Sequence, residues 1–178
     1  LIGNRLTGMA AVANDNIVIS NVTICNGSNA STGGYIGFDK DASTPNTTTI
    51  KAGGIIGNAS KTTNLKATNV IVRNLNISGN YAGGMAGCLS GENTHAVFTN
   101  CSVITDMEQN CKILCYNCGG GFIGSNESPR TSTLDNCSVA GYTISGSAVG
   151  SSCNIGGLIG YNNLAGATVN VQNTWLAG

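Results

Sequence analysis

The sequence predicts an all-β fold, a right-handed parallel β-helix (β-solenoid) of about six coils, with residues 1–178 forming a single domain. Three observations predict it. A glycine phrase, G-G-x-φ-G with φ small or apolar, recurs along the chain. An asparagine phrase, apolar-x-Asn-x-x-apolar, follows most of its copies. The chain has 26 Gly, 24 Asn and only 2 Pro, and it is short of Lys, Glu, Gln and Arg, so helix formers for solvated faces are scarce. Val, Ile and Thr fall in short alternating runs instead, which favours strands.

The phrases can be followed in chain order. "LIG" at 1–3 reads as a truncated glycine phrase, and "ISNVTI" at 19–24 is the asparagine phrase that follows it. "GGYIG" at 33–37 comes next, with "PNTTTI" at 45–50 as a worn second phrase. "GGIIG" at 53–57 is answered by "VRNLNI" at 72–77, and "GGMAG" at 83–87 by "FTNCSV" at 98–103. "GGFIG" at 120–124 is answered by "LDNCSV" at 134–139, and "GGLIG" at 156–160 by "VQNTWL" at 171–176. Between last glycines of the five full copies the steps are 20, 30, 37 and 36 residues. Two phrases in fixed order with variable spacers describe a solenoid, the phrases as strands and the spacers as loops leaving at corners. Glycine lets the chain turn sharply and lets neighbouring coils approach without a Cβ between them. Asparagine tolerates left-handed backbone at a turn, and its amides can stack from coil to coil as a ladder. The expected ladder is Asn21, Asn74, Asn100, Asn136 and Asn173.

"GGFIGSNESPRTSTLDNCSVAGYTISG" and "GGLIGYNNLAGATVNVQNTWLAG" resemble the GLUG-type repeats of bacterial and protist surface proteins. The resemblance spans nearly the whole chain through a short, glycine-rich motif. It implies a β-helical surface protein and carries over no catalytic residue.

Composition excludes several function classes. The formal net charge is zero and 9% of residues are charged, which argues against nucleic acid and against a polybasic membrane contact. No apolar run approaches the ~20 residues of a membrane-spanning helix, so no membrane insertion is expected. Eight cysteines point to an oxidising compartment, hence an extracellular or cell-surface setting. Nine N-x-S/T sequons agree with secretion and covalent N-glycans. Three of these, Asn21, Asn100 and Asn136, belong to the ladder and are assigned to structure on the premise that a ladder amide turned inward carries no glycan. The glycan candidates are Asn26, Asn29, Asn46, Asn58, Asn76 and Asn126.

Cys101 and Cys137 share one slot in "NCSV", so stacking at ~4.8 Å would bring them within disulfide reach. Cys118 and Cys153 lie just before successive glycine phrases and form a second candidate pair. Cys25, Cys88, Cys111 and Cys115 are disulfide candidates whose partners stay open. The C-x3-C-x2-C run "CKILCYNC" at 111–118 has the spacing of an iron–sulfur loop, but a helix-poor, sequon-rich chain does not suit that chemistry. A zinc site lacks a fourth ligand, because His95 is the only histidine. The eight acids, Asp15, Asp39, Asp41, Glu92, Asp106, Glu108, Glu127 and Asp135, scatter over different segments. No catalytic, cofactor or metal residue is therefore assigned, and an enzyme is not expected.

The chain opens inside one phrase and closes on "WLAG", where a further copy would run straight into glycine. That pattern suggests one segment of a longer or polymerising protein, with copies of itself or adjoining repeats as end-to-end partners. The expected function is structural, in an extracellular fibre or surface stalk. The alternative is an adhesin-type module that grips surface glycans or a host protein through inserts at 104–118 and 140–155. Tyr116, Tyr142, Tyr161 and Trp175 would be its aromatics for sugar stacking.

Overall fold

A computed structural model describes residues 2–4, 15–26, 34–37, 50–59, 63–91, 94–106, 110–127, 131–146, 153–163 and 167–178. Every regular element among them is a strand, and every strand pairing is parallel. The strands form three sheets, which the chain visits in a fixed order.

The chain starts with β1 (Ile2–Asn4) in the first sheet, β2 (Asp15–Cys25) in the second and β3 (Gly34–Gly37) in the third. Next come β4 (Lys51–Gly53) in the third sheet, β5 (Ile56–Ala59) in the first, β6 (Thr63–Arg73) in the second and β7 (Leu75–Gly83) in the third. β8 (Ala86–Leu89) returns to the first sheet, β9 (His95–Thr99) and β10 (Ser102–Ile104) to the second, and β11 (Lys112–Gly120) to the third. β12 (Ile123–Asn126), β13 (Thr131–Asp135), β14 (Ser138–Ala140), β15 (Thr143–Gly146) and β16 (Asn154–Gly156) repeat that path. β17 (Ile159–Asn162), β18 (Thr168–Gln172) and β19 (Trp175–Ala177) carry it through the first and second sheets again.

The glycine phrase proves to be a corner, not a strand. Its first glycine ends a strand of the third sheet, as Gly53, Gly83, Gly120 and Gly156 do. Its φ residue opens a strand of the first sheet, giving the register Ile56↔Ala86↔Ile123↔Ile159. The residue between them points into the core, where Ile55, Met85 and Phe122 are fully buried. The second glycine is forced by close approach: a Cβ on Gly84 would stand 2.6 Å from Val103 Cγ2, and one on Gly121 2.8 Å from Val139 Cγ1.

"GGYIG" departs from this pattern. Its residues 34–37 pair with Leu75–Ser78 of β7 in the third sheet, not with the other glycine phrases in the first. It is therefore not a copy of the corner, which accounts for the irregular 20-residue step after it. Among the described residues the first sheet holds five strands, one for each remaining phrase, so "GGYIG" is set apart from the other copies read from sequence.

A single apolar cluster joins residues of all three sheets. It is organised in columns of in-register residues. Ala67, Phe98 and Leu134 make one, with the small alanine beneath two large side chains. Val72, Val103 and Val139 make another. Phe98 also meets Phe122 edge to face, with centroids 5.1 Å apart at 89°. The expected loop insertions shrink: β11 (Lys112–Gly120) takes up the end of 104–118, and β15 (Thr143–Gly146) lies within 140–155.

Candidate functional site

The most regular chemistry on the molecule is an amide ladder along one corner of the second sheet. The register aligns Asn21 with Asn69, since Ser20 faces Thr68 and Val22 faces Val70. Asn69 Nδ2 donates to Asn21 Oδ1 at 2.9 Å, Asn100 Nδ2 to Asn69 Oδ1 at 3.1 Å and Asn136 Nδ2 to Asn100 Oδ1 at 2.8 Å. Asn173 Nδ2 donates sideways to Asp135 Oδ1 at 3.2 Å. These five asparagines have φ between 49° and 56°, so each supplies a left-handed kink that bends the sheet. Their side chains are exposed, which corrects the premise that a ladder amide turns inward.

Asn69 replaces Asn74 in this ladder. Asn74 occupies the next corner, where the chain enters the third sheet, with φ 56°. There its Nδ2 donates to Asp106 Oδ2 at 2.7 Å, and Asp106 N donates to its Oδ1 at 2.9 Å. Arg73 adds an ion pair to Asp106 at 2.7 Å. The Asn74 hydrogen bond first, and Arg73 second, hold the Asp106 carboxyl below its usual range. Sequence spacing carries a signal for Asn69: it lies 12 residues after Gly57, against 13, 12 and 13 for Asn100, Asn136 and Asn173. "ATNVIV" at 67–72 also fits the phrase, with alanine in its first apolar place.

Two glycan candidates lie where no glycan fits. Asn126 is fully buried, donating to Asn162 Oδ1 at 2.8 Å and accepting from Ser132 Oγ at 3.1 Å. Asn58 is 7% exposed and accepts from Ser90 Oγ at 3.0 Å. A residue inside a close-packed first-sheet column has no room for a sugar. Asn76 is half-buried and accepts from the Lys112 amide, and Asn26 is also half-buried. Asn29 and Asn46 lie outside the described residues.

The cysteines stand as free thiols. Cys101 and Cys137 are stacked and buried, with Thr99 O and Ala67 O as alternative acceptors for the one Cys101 thiol proton and Asp135 O and Phe98 O for that of Cys137. The neighbouring thiol draws Cys101 below its ordinary value, and Cys101 in turn raises Cys137. The proposed partnership of Cys118 with Cys153 is not what the register gives. Cys118 faces Asn154, while Cys153 Sγ lies 2.7 Å from Cys115 Sγ. Burial pushes the Cys88 thiol up to about 12. Cys25 is exposed and Cys111 buried.

No group of three metal-ligating side chains occurs among the described residues. Asp39, Asp41, Glu92 and Glu108 lie outside them, and Asp106, Glu127 and Asp135 sit at separate positions. No described helix is long and apolar enough to cross a membrane. Beside the third sheet lies a cleft of about 240 Å³ lined by Tyr35, Asn76, Ile77, Ser78, Lys112, Leu114 and Ser145. Of the aromatics named for sugar stacking, Tyr142 accepts from the Leu75 amide and Tyr161 donates to Asn163, while Trp175 is exposed.

The last feature is an open edge. Val171 continues the column Ala67–Phe98–Leu134, Leu176 the column Val72–Val103–Val139, and Ile155 the column Ala82–Gly119. The earlier large members are 0–4% exposed, but Val171, Leu176 and Ile155 are 47%, 53% and 48% exposed. Comparison with protein-family models, curated proteins and solved structures returns no match.

Proposed function

We propose that the chain is a structural segment of an extracellular fibre or surface stalk, a right-handed parallel β-helix whose coils stack end to end. One observation carries the reading. At β16–β19 the interior slots of the core columns hold apolar residues that are about half exposed. Each such slot in earlier layers is covered by the next layer of the same repeat. What fits the edge is therefore another parallel layer of this repeat, bringing its own Val or Leu over Leu176 and its own strand onto β18 and β19. On this reading each of the five described strands of the first sheet belongs to one coil, for a rise of about 24 Å at ~4.8 Å each. The GLUG-like phrases, the cysteine content and the sequons outside the core support a cell-surface setting. Cys101 and Cys137, stacked across two coils, fit a coil-to-coil staple.

The test is electron microscopy and sedimentation of the concentrated chain. Fibres with a regular axial repeat are expected. Monodisperse particles at every concentration would end the self-stacking reading.

A further inference from the structure

The geometry points to a disulfide between Cys115 and Cys153 as the covalent clasp that fixes the segment entering the last coil. The two sulfur atoms lie 2.7 Å apart, against ~2.05 Å in the bonded state. Two departures from regular structure create this meeting. β11 carries a bulge between Cys115 and Cys118, so its register with β7 shifts there. The chain also pairs β15 up to Gly146 with Cys115, then resumes pairing with β11 at Asn154 opposite Cys118. Cys153 thus sits above the bulge, one residue before pairing restarts.

The surroundings keep the space for sulfur. In its register Cys115 faces Gly79 on one side and Gly146 on the other. A Cβ on Gly119 would stand 2.6 Å from Cys115 Sγ, and one on Gly146 would stand 3.1 Å from Cys153 Sγ. Any larger residue at either glycine would push the thiols apart. Burial, with the Cys153 sulfur next to it, raises the Cys115 thiol above its ordinary value. Cys115 is fully buried and Cys153 is half-buried, so an oxidant enters at Cys153.

The step balances with a small disulfide such as oxidised glutathione. Cys153 thiolate attacks it, forms a mixed disulfide and releases one glutathione thiol. Cys115, deprotonated, then attacks Cys153 Sγ and expels the second glutathione thiol. The protein loses two electrons and two protons, and both appear in the two glutathione thiols. The inference stands on local geometry and does not depend on the fibre reading.

The test is non-reducing peptide mapping of the full chain equilibrated in a glutathione redox buffer. A linked peptide joining 115 to 153 is expected, with the intact mass lower by two hydrogens for this bond. Cys153→Ser should abolish that linked peptide, whereas Cys118→Ser should leave it unchanged. Mapping the unsubstituted chain decides the matter even if a variant fails to fold. A link from Cys118 to Cys153, or complete alkylation of both Cys115 and Cys153 in oxidised, folded protein, would overturn the proposal.

Discussion

Seven described non-glycine residues have positive φ, and all seven are asparagines. An L-residue in that conformation pays a steric penalty of roughly 1–2 kcal/mol, which asparagine offsets through local hydrogen bonds. At Asn100 two effects coincide, the left-handed kink and two ladder bonds. Asn100→Gly removes the bonds alone and should cost about 1 kcal/mol, while Asn100→Ala adds the backbone penalty and should cost about 2 kcal/mol. Urea denaturation of the two variants separates the contributions; equal losses would show that the kink costs nothing. Asp106 gives a pH signature. Its carboxyl is held low by Asn74 and Arg73, so its contribution is present above the ordinary carboxylate value of 3.8 and fades as pH falls through the folded value. Asp106→Asn should therefore lower stability at neutral pH, and the difference from the parent should vanish in strong acid. A gap that persists there would exclude the charge as its source. The asparagine phrase was legible at Asn21, Asn100, Asn136 and Asn173 because apolar residues frame it. The pattern falls on Asn74 as well as Asn69 because the chain makes two left-handed kinks five residues apart, at Asn69 within β6 and at Asn74 just after it, and both fit the phrase.

At the scale of the element, the corner from third to first sheet is the most constrained feature. Its second glycine lies against the valine column of the second sheet and the backbone of the next corner. Corner backbones also bond layer to layer, with Gly54 N donating to Gly84 O at 3.0 Å and Met85 N to Phe122 O at 2.9 Å. Gly121→Ala places a methyl 2.8 Å from Val139 and against Gly157 O, and neither backbone can retreat without losing its bonds. The expected cost is about 1–3 kcal/mol, read from the shift in denaturation midpoint. Gly146→Ala, where the neighbour is the Cys153 side chain, should cost less. The corners could be read from sequence because close approach demands two adjacent glycines. "GGYIG" showed the limit of that reading. Its glycines meet a different environment, Leu75 Cδ2 beside Gly34 and a positive φ of 103° at Gly37. The same letters there form a strand of another sheet. The Cys115–Cys153 contact was hidden for a related reason, since a bulge breaks the constant spacing on which pairing by slot depends.

For the whole molecule, the decisive contrast lies between two residues of one column. Val139 is 4% exposed and covered by the layer that follows it; Leu176, the next member, is 53% exposed. If the edge is a stacking surface, lysine in these two slots should act on different properties. Val139→Lys buries an uncompensated charge inside the core and should unfold the chain or cost several kcal/mol. Leu176→Lys leaves its charge in water in the isolated chain, so its stability should change by no more than about 0.5 kcal/mol. In a stack that same lysine would lie beneath the next layer, in the position Val139 now holds, and the penalty would reappear as lost association. Sedimentation velocity across a concentration series should then show Leu176→Lys as single particles while the parent associates, with equal denaturation midpoints for the two. Association that survives the substitution would place the contact elsewhere on the surface, because no interior column of a parallel stack can take an unpaired charge.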